Sequence, residues 1–232
     1  MDTINSLLKS LSSPDLERLA PHLSRVERRS GVVLYEPEDA VDWVYFPESG
    51  LVSIISVMLS GEGVESGVIG REGGIGFVEA AGAGLIFSRA VVQIDLVAHR
   101  VPAAAYLRAF DASPAMRRAV ASHIELTIAE CRQTIACIAH HEARQRLAWW
   151  ILECQDRTGL DRLPLTQEFL SAMLAIQRTT VSAVAASLKS DGLIGYSRGT
   201  ITVRDRAGLE AAACECYRIG RHMRALIEGA GG

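Results

Sequence analysis

The sequence predicts an α+β protein in three consecutive zones: a β-rich first half, one long helix, and a helix-turn-helix followed by a β-hairpin. Three observations carry this reading. Short β-branched or aromatic runs recur up to about Asp111 at roughly 8–12-residue spacing, the pattern of a sandwich or roll. A stretch without glycine or further proline runs from Ser113-Pro114 to about Ile138. Between Thr166 and Ser190, two short helical patterns flank a small residue and end at Asp191-Gly192.

Taken in order, the first expected element is a short helix at Pro14–Ala20. The runs Val32–Tyr35, Val41–Phe46, Leu51–Met58, Val64–Ile69, Ala90–Asp95 and Ala98–Val101 are expected strands. Turn-formers separate them, among them Pro47-Glu48-Ser49-Gly50 and Ser60-Gly61-Glu62-Gly63, where glycine admits positive φ. The glycine-rich Gly70–Gly76 lacks the Gly-Lys-Ser/Thr ending of a phosphate loop and precedes no clear helix pattern, so it reads as a turn.

The long helix opens with a capping serine and a proline at its first turn. Ala121, Ile124, Ile128, Cys131, Ile135 and Ile138 follow 3,4,3,4,3 spacing, a heptad seam. A homodimer seam is the expectation, with packing onto its own domain as the open alternative.

In the third zone His141–Arg157 reads as a helix whose apolar side holds Leu147, Trp150, Ile151 and Cys154, with Trp149-Trp150 as core. A connector over Thr158–Pro164 leads to helices at Thr166–Leu174 and Arg178–Ser190. Strands at Leu193–Tyr196 and Thr200–Arg204 flank Ser197-Arg198-Gly199, a hairpin with glycine in its turn. Ala207–Ile227 reads as one terminal helix, and Gly229–Gly232 are expected to fray. The expected domains are residues 1–112, 113–141 and 142–232.

Composition bounds the function. The 232 residues are 49% hydrophobic and 22% charged, an ordinary balance for a folded domain. No apolar run approaches a membrane span, and the start has no basic segment leading into an apolar block. No membrane partner and a cytoplasmic location are therefore expected. Net charge is −3, but it is uneven. Residues 1–141 hold 12 basic and 17 acidic side chains, and residues 142–232 hold 12 and 10. The window Arg178–Arg206 has Arg178, Lys189, Arg198, Arg204 and Arg206 against Asp191 and Asp205. A locally basic segment on an acidic chain fits a part that meets a polyanion.

The five cysteines, Cys131, Cys137, Cys154, Cys214 and Cys216, are odd in number and irregular in spacing. Neither a disulfide framework nor a zinc spacing emerges, so ordinary reduced thiols and no metal or cofactor are expected. His140-His141 reads as a hinge between domains with hydrogen-bonded imidazoles rather than a metal or pH element. No nucleophilic or acid–base set stands out, so no catalytic residue and no enzyme activity are expected.

The strongest constellation is Leu165–Ile194. Thr166 can cap the first helix, and Phe169, Leu170, Met173 and Leu174 form its buried side. Ala175 stands where the tight turn needs a small residue, and Val181, Val184 and Leu188 face inward from the second helix. Gln177, Arg178, Thr179 and Ser182 are left outside at the N-terminus of that helix. This is the layout in which a second helix enters the DNA major groove N-terminus first. Arg178 suits guanine O6 and N7 or a phosphate, Thr180 suits a phosphate, and Arg198 suits a backbone contact from the hairpin tip. Candidate DNA-binding residues are therefore Thr166, Gln177, Arg178, Thr179, Thr180, Ser182 and Arg198.

On Thr166–Val181 and Asp191–Ile194, with weaker echoes in Val44–Val52, Gly70–Gly76 and Ser88–Val92, the chain resembles Crp/Fnr-type transcriptional regulators over nearly its full length. The resemblance implies a cyclic-nucleotide-binding-like double-stranded β-roll as sensor, a long dimerisation helix and a C-terminal winged helix. It implies a homodimer on double-stranded DNA with an inverted-repeat operator, and RNA polymerase as a partner where the regulator activates. It also places the effector pocket at Gly76, Phe77, Ser88 and Arg89.

Departures bear on the effector. Cyclic-nucleotide binders have Gly-Glu where this chain has Gly76-Phe77, and Arg-Ser-Ala where it has Ser88-Arg89-Ala90. Phe77 cannot accept from a ribose hydroxyl, and a one-residue shift along a strand turns Arg89 to the other face. A cyclic nucleotide bound in the usual way is not expected, and the effector is unassigned. Oxygen-sensing relatives hold an iron–sulfur cluster through N-terminal cysteines, whereas no cysteine precedes Cys131 here. Thr179 and Ala183 also stand where well-known members carry Glu and Arg, so their half-site does not transfer. That shortened polar set supports the alternative function, a ligand-binding module acting through protein partners with a degenerate helix-turn-helix.

Overall fold

A computed structural model describes residues 3–230, and the side chains up to Ile227. Two short helices, α1 (Ser6–Lys9) and α2 (Ser13–Leu19), lead into the strands β1 (Ser24–Arg28), β2 (Val33–Tyr35), β3 (Trp43–Val57) and β4 (Gly63–Ile69). One turn of helix, α3 (Phe77–Ala80), precedes β5 (Arg89–Pro102) and helix α4 (Ala103–Ala112). The long helix α5 (Pro114–His140) is followed by α6 (Ala143–Thr158), β6 (Arg162–Leu163), α7 (Gln167–Leu174) and α8 (Arg178–Ser190). The hairpin β7 (Ile194–Ser197) and β8 (Thr200–Val203) and the helices α9 (Arg206–Ala212) and α10 (Cys216–Ala230) complete the chain.

Among the described residues the strand pairs are antiparallel, in the order β1-β5-β3-β4 with β2 on β5 in the roll and β6-β8-β7 in a second sheet. The roll differs from the sequence expectation in one instructive way. The runs Val41–Phe46 and Leu51–Met58 belong to one long strand, β3, and Pro47–Gly50 is no turn. Register shifts at Pro47/Ser49, Ser49/Leu51 and Leu51/Val52 bend the strand without ending it. Gly50 has φ +90°, and a Cβ there would lie 2.3 Å from the Asp95 carbonyl oxygen. The bend therefore requires glycine, which from sequence looks like a turn signal. Ala90–Asp95 and Ala98–Val101 likewise merge into β5, whose alternate residues Ala90, Val92, Ile94, Leu96 and Ala98 are buried.

Helix α1, strands β1 and β6, and helices α3 and α4 escaped the pattern. The edge strand β1 carries only Val26 among charged and polar residues, and α4 occupies the end of the stretch read as β-structure. The turn Gly70–Gly76 does precede a helix, the single turn α3, with Gly76 at φ +79° as its N-cap. The terminal helix is broken into α9 and α10 around Ala213–Glu215. Helix α10 runs through Gly229 to Ala230, while Gly231 and Gly232 lie outside the described residues.

Helix α5 begins as expected: the Ser113 hydroxyl accepts from the Met116 amide and Pro114 is its first residue. Its 27 residues extend about 40 Å. Its first turns seat Met116 and Val120 in the core of the roll. A second core gathers α6, Leu170, Met173 and Leu174 of α7, Val181 and Leu188 of α8, and Tyr217 of α10. Leu51, Val68 and Ile94 of the roll join that second core, so the C-terminal unit is docked on the sheet. Among the described residues no single helix is long and apolar enough to cross a membrane.

Candidate nucleic-acid interface and ligand cavity

Helices α7 and α8 meet at 103°, within the range for a helix-turn-helix. Local chemistry sets this corner. The Thr166 hydroxyl accepts from the Phe169 amide and caps α7. Ala175 ends α7 in the left-handed region at φ +51°, where a larger or branched side chain is strained. The Ser171 hydroxyl donates to Ile176 O across the turn, and the Arg146 guanidinium of α6 donates to Leu174 O. Val181, Ala185 and Leu188 bury the inner face of α8. Arg144 of α6 donates to Ser187 Oγ and Asp191 Oδ2 and holds its far end.

The predicted contact residues fall into two groups. Gln177, Arg178, Thr179 and Thr180 are exposed on the first turn of α8, and Arg198 is exposed at the hairpin tip. The tip turns through Arg198 (φ +48°) and Gly199 (φ +73°), and Gly199 rests against Thr166. The wing and the start of α7 therefore lie side by side. Ser182 differs: it is half-buried, and its hydroxyl is committed to Arg178 O at 3.0 Å. The Thr166 hydroxyl is likewise occupied by its cap. Reading one sequence also missed Glu168, whose carboxylate lies 3.1 Å from the Arg178 guanidinium.

A cavity opens where the roll, α5, α6 and α10 converge. Gly76, Phe77 and Ser88 line it, and Arg89 does not. Phe77 is buried and packs edge-to-face on the His123 imidazole of α5. Burial holds His123 below the usual histidine range, against the pull of Glu72. Arg89 instead pairs with Glu36 at 2.8 Å.

The wall of the cavity nearest α6 is a knot of charge. Arg157, only 9% exposed, approaches Glu72, Glu130 and Glu153 at 3.0, 3.4 and 3.3 Å. Arg224 of α10 bonds Glu130 and Glu153 at 2.6 and 2.8 Å. Burial works against the charge on Arg157, and the three carboxylates outweigh it, so its pKa is raised. These five groups join the roll to three helices.

Of the expected seam residues, Ala121, Ile128, Ile135 and Ile138 are exposed on α5, whereas Ile124 and Cys131 are half-buried. Ile124 packs on the roll core and Cys131 lines the cavity. The outward stripe is therefore Ala121, Ile128, Ile135 and Ile138. Four groups depart from the expectation of ordinary reduced thiols and a hinge histidine. Cys137, His141, Cys214 and Cys216 converge at the end of α5 with one ligating atom each, all within 4.8 Å of one another. Spacing templates miss this set because its two halves lie more than 70 residues apart. The hydrogen bond between the Cys137 and Cys214 thiols raises the pKa of the first and brings Cys214 down to about 6.

Residues 145–212 match the family described as Crp-like helix-turn-helix domain. The Cyclic AMP receptor protein of Thermus thermophilus is 26% identical over 210 residues, which span 87% of this chain and 97% of that protein. FixK2 from Bradyrhizobium japonicum superposes with a TM-score of 0.71 at 16% identity, covering 83% of this chain and 98% of that one. A CRP-family transcriptional regulator from Thermus thermophilus gives 0.69 at 21% identity, covering 81% and 96%. At these identities the structural likeness is one of fold.

Proposed function

We propose that the chain, whose residues 145–212 match the Crp-like helix-turn-helix domain, is a Crp/Fnr-type transcriptional regulator that acts as a homodimer on an inverted-repeat DNA site, under an input to the β-roll other than a cyclic nucleotide bound in the usual way. Residues 1–112 serve as the sensor, 113–141 as the dimer helix and 142–232 as the DNA-binding unit. The observation that carries this is the first turn of α8. Four polar residues, Gln177 to Thr180, stand exposed at the N-terminus of a helix whose other face is locked into a core. Gln177, Arg178 and Thr179 enter the major groove, while Thr180 and Arg198 meet phosphates.

The outward stripe of α5 supports the dimer. Ile135 is 69% and Ile128 44% exposed, and a second copy of α5 would bury both. Two-fold symmetry then sets the half-site centres about 34 Å apart.

Phe77 and Arg89 support the statement about the effector. A buried aromatic stands where a ribose hydroxyl would need an acceptor, and the arginine is engaged by Glu36 away from the cavity. Fluorescence anisotropy with fragments of the regulator's own promoter region tests DNA binding. Salt-sensitive binding that Arg178→Ala abolishes, with the dimer intact, is the expected result. No salt-sensitive binding to any fragment would overturn the reading. Thermal melts with cyclic AMP and cyclic GMP test the effector statement, and a concentration-dependent rise in Tm would contradict it.

A further inference from the structure

We propose that Cys137, His141, Cys214 and Cys216 form a closed binding site for one zinc-class metal ion, held through three thiolates and His141 Nδ1. All four ligating atoms lie within 4.8 Å of one another, and two of their six separations match the edges of a single tetrahedral centre. With Zn–S of about 2.3 Å and Zn–N of about 2.05 Å, a tetrahedron has S···S edges of about 3.8 Å and S···N edges of about 3.6 Å. Cys137 Sγ and Cys214 Sγ are 3.6 Å apart, and Cys216 Sγ and His141 Nδ1 are 3.5 Å apart. A disulfide between Cys137 and Cys214 would use two of the four groups and leave the other two unexplained.

The surroundings suit an anionic ligand set. His141 Nε2 faces a Glu215 carboxylate oxygen at 3.1 Å. That contact fixes the proton on Nε2 and turns the Nδ1 lone pair inward, the carboxylate–histidine arrangement found behind metal ligands. Gln133 Nε2 donates to Cys216 Sγ at 3.1 Å. Three thiolates and a divalent cation leave one negative charge in a buried place. The buried Arg146 guanidinium beside Cys137 and Cys214 offsets it: burial lowers the pKa of Arg146, and these two sulfurs pull the other way. Arg146 Nε has no hydrogen-bond partner among the described residues.

Binding releases to solvent whatever protons the three thiols still hold and changes no oxidation state. With four protein ligands and no open position, the ion is structural. It ties the last turn of α5 to the break between α9 and α10, beside the joint where α6 begins. Neither the site nor its test depends on the DNA-binding reading.

The full-length chain, purified under reducing conditions and dialysed against zinc, is analysed by native mass spectrometry and metal quantitation. One zinc per chain is expected, with Cys137, Cys214 and Cys216 becoming reactive toward a thiol reagent only when a chelator is added, while the buried Cys154 stays unreactive throughout. Cobalt(II) in place of zinc gives the intense visible bands of a tetrahedral thiolate centre. Cys216→Ser loses these bands, Cys131→Ser keeps them, and Glu215→Gln weakens metal affinity about 10-fold or more. Should Cys216→Ser fail to fold, thiol shielding in the unaltered chain still decides. Less than stoichiometric zinc, thiol reactivity that a chelator leaves unchanged, a Cys137–Cys214 disulfide without metal, or unchanged cobalt bands in Cys216→Ser would overturn the proposal.

Discussion

The Arg178 guanidinium lies 3.1 Å from the Glu168 carboxylate, so the foremost cation of α8 is tethered to the helix before it. Both side chains are well exposed, and such pairs contribute about 0–1 kcal/mol in water. The tether is therefore weak enough for a phosphate or base to displace. Glu168→Gln frees Arg178 and removes a negative charge from the side proposed to face DNA. Its expected effect is a several-fold gain in affinity for arbitrary DNA, read by anisotropy across a salt series. Unchanged affinity would show that Glu168 does not compete with DNA. Arg178→Ala should lower the salt slope by about 1.

The proposed dimer makes a separate prediction. Ile135→Glu places a charge in the middle of the outward stripe of α5. In an isolated chain this position is solvated and the substitution is tolerated. In the dimer it buries two like charges against each other. Light scattering should show monomers with an unaltered circular dichroism spectrum, and a dimer that persists would move the interface elsewhere.

Arg157 makes the largest stability prediction. Arg157→Ala leaves Glu72, Glu130 and Glu153 facing one another with only Arg224 between two of them. Removing one partner from a buried ion network costs about 3–5 kcal/mol. Urea titration should show a lower midpoint, with a deficit that shrinks on acidification as the carboxylates protonate. A loss below about 1 kcal/mol, the size of an exposed pair, would mean the knot is open to water.

Glu65 supplies a pH signature. It is fully buried, and neither carboxylate oxygen has a hydrogen-bond partner among the described residues. Burial pushes its pKa from the ordinary 4.5 up to about 8, only partly offset by Ser53 and Arg157. The folded state thus holds this proton more tightly than the unfolded state. Below pH 4.5 both states are protonated and the full stability is present; from there to about 8 stability falls, then levels. Glu65→Gln should flatten melting temperature across that window and raise it at pH 8 by about 2–4 °C per kcal/mol recovered. An unchanged pH profile would place the titration elsewhere.

The C-terminal half was legible because its signals are local. Thr166 as cap, Ala175 in the turn, Gly192 at the end of α8 and Gly199 in the hairpin each state a backbone conformation that the structure adopts. The roll was less so. Gly50 serves a bend inside a strand, and a bend and a turn ask the same of a residue. Strand β1 was hidden because an edge strand tolerates charge on both faces. Arg89, expected in the effector pocket, instead pairs with Glu36, a partner 53 residues off that leaves no local trace. The same distance problem hid the meeting of Cys137 with Cys214.

The charge knot around Arg157 has one more consequence. Glu72, Glu130, Glu153, Arg157 and Arg224 line the cavity and also fasten the C-terminal unit to the roll. Occupant and fastening thus share one wall. A molecule entering the cavity meets the latch itself, and no chain of intermediates is required to carry word of its arrival. A charged ligand there would compete directly with the ion pairs that hold the C-terminal unit against the roll.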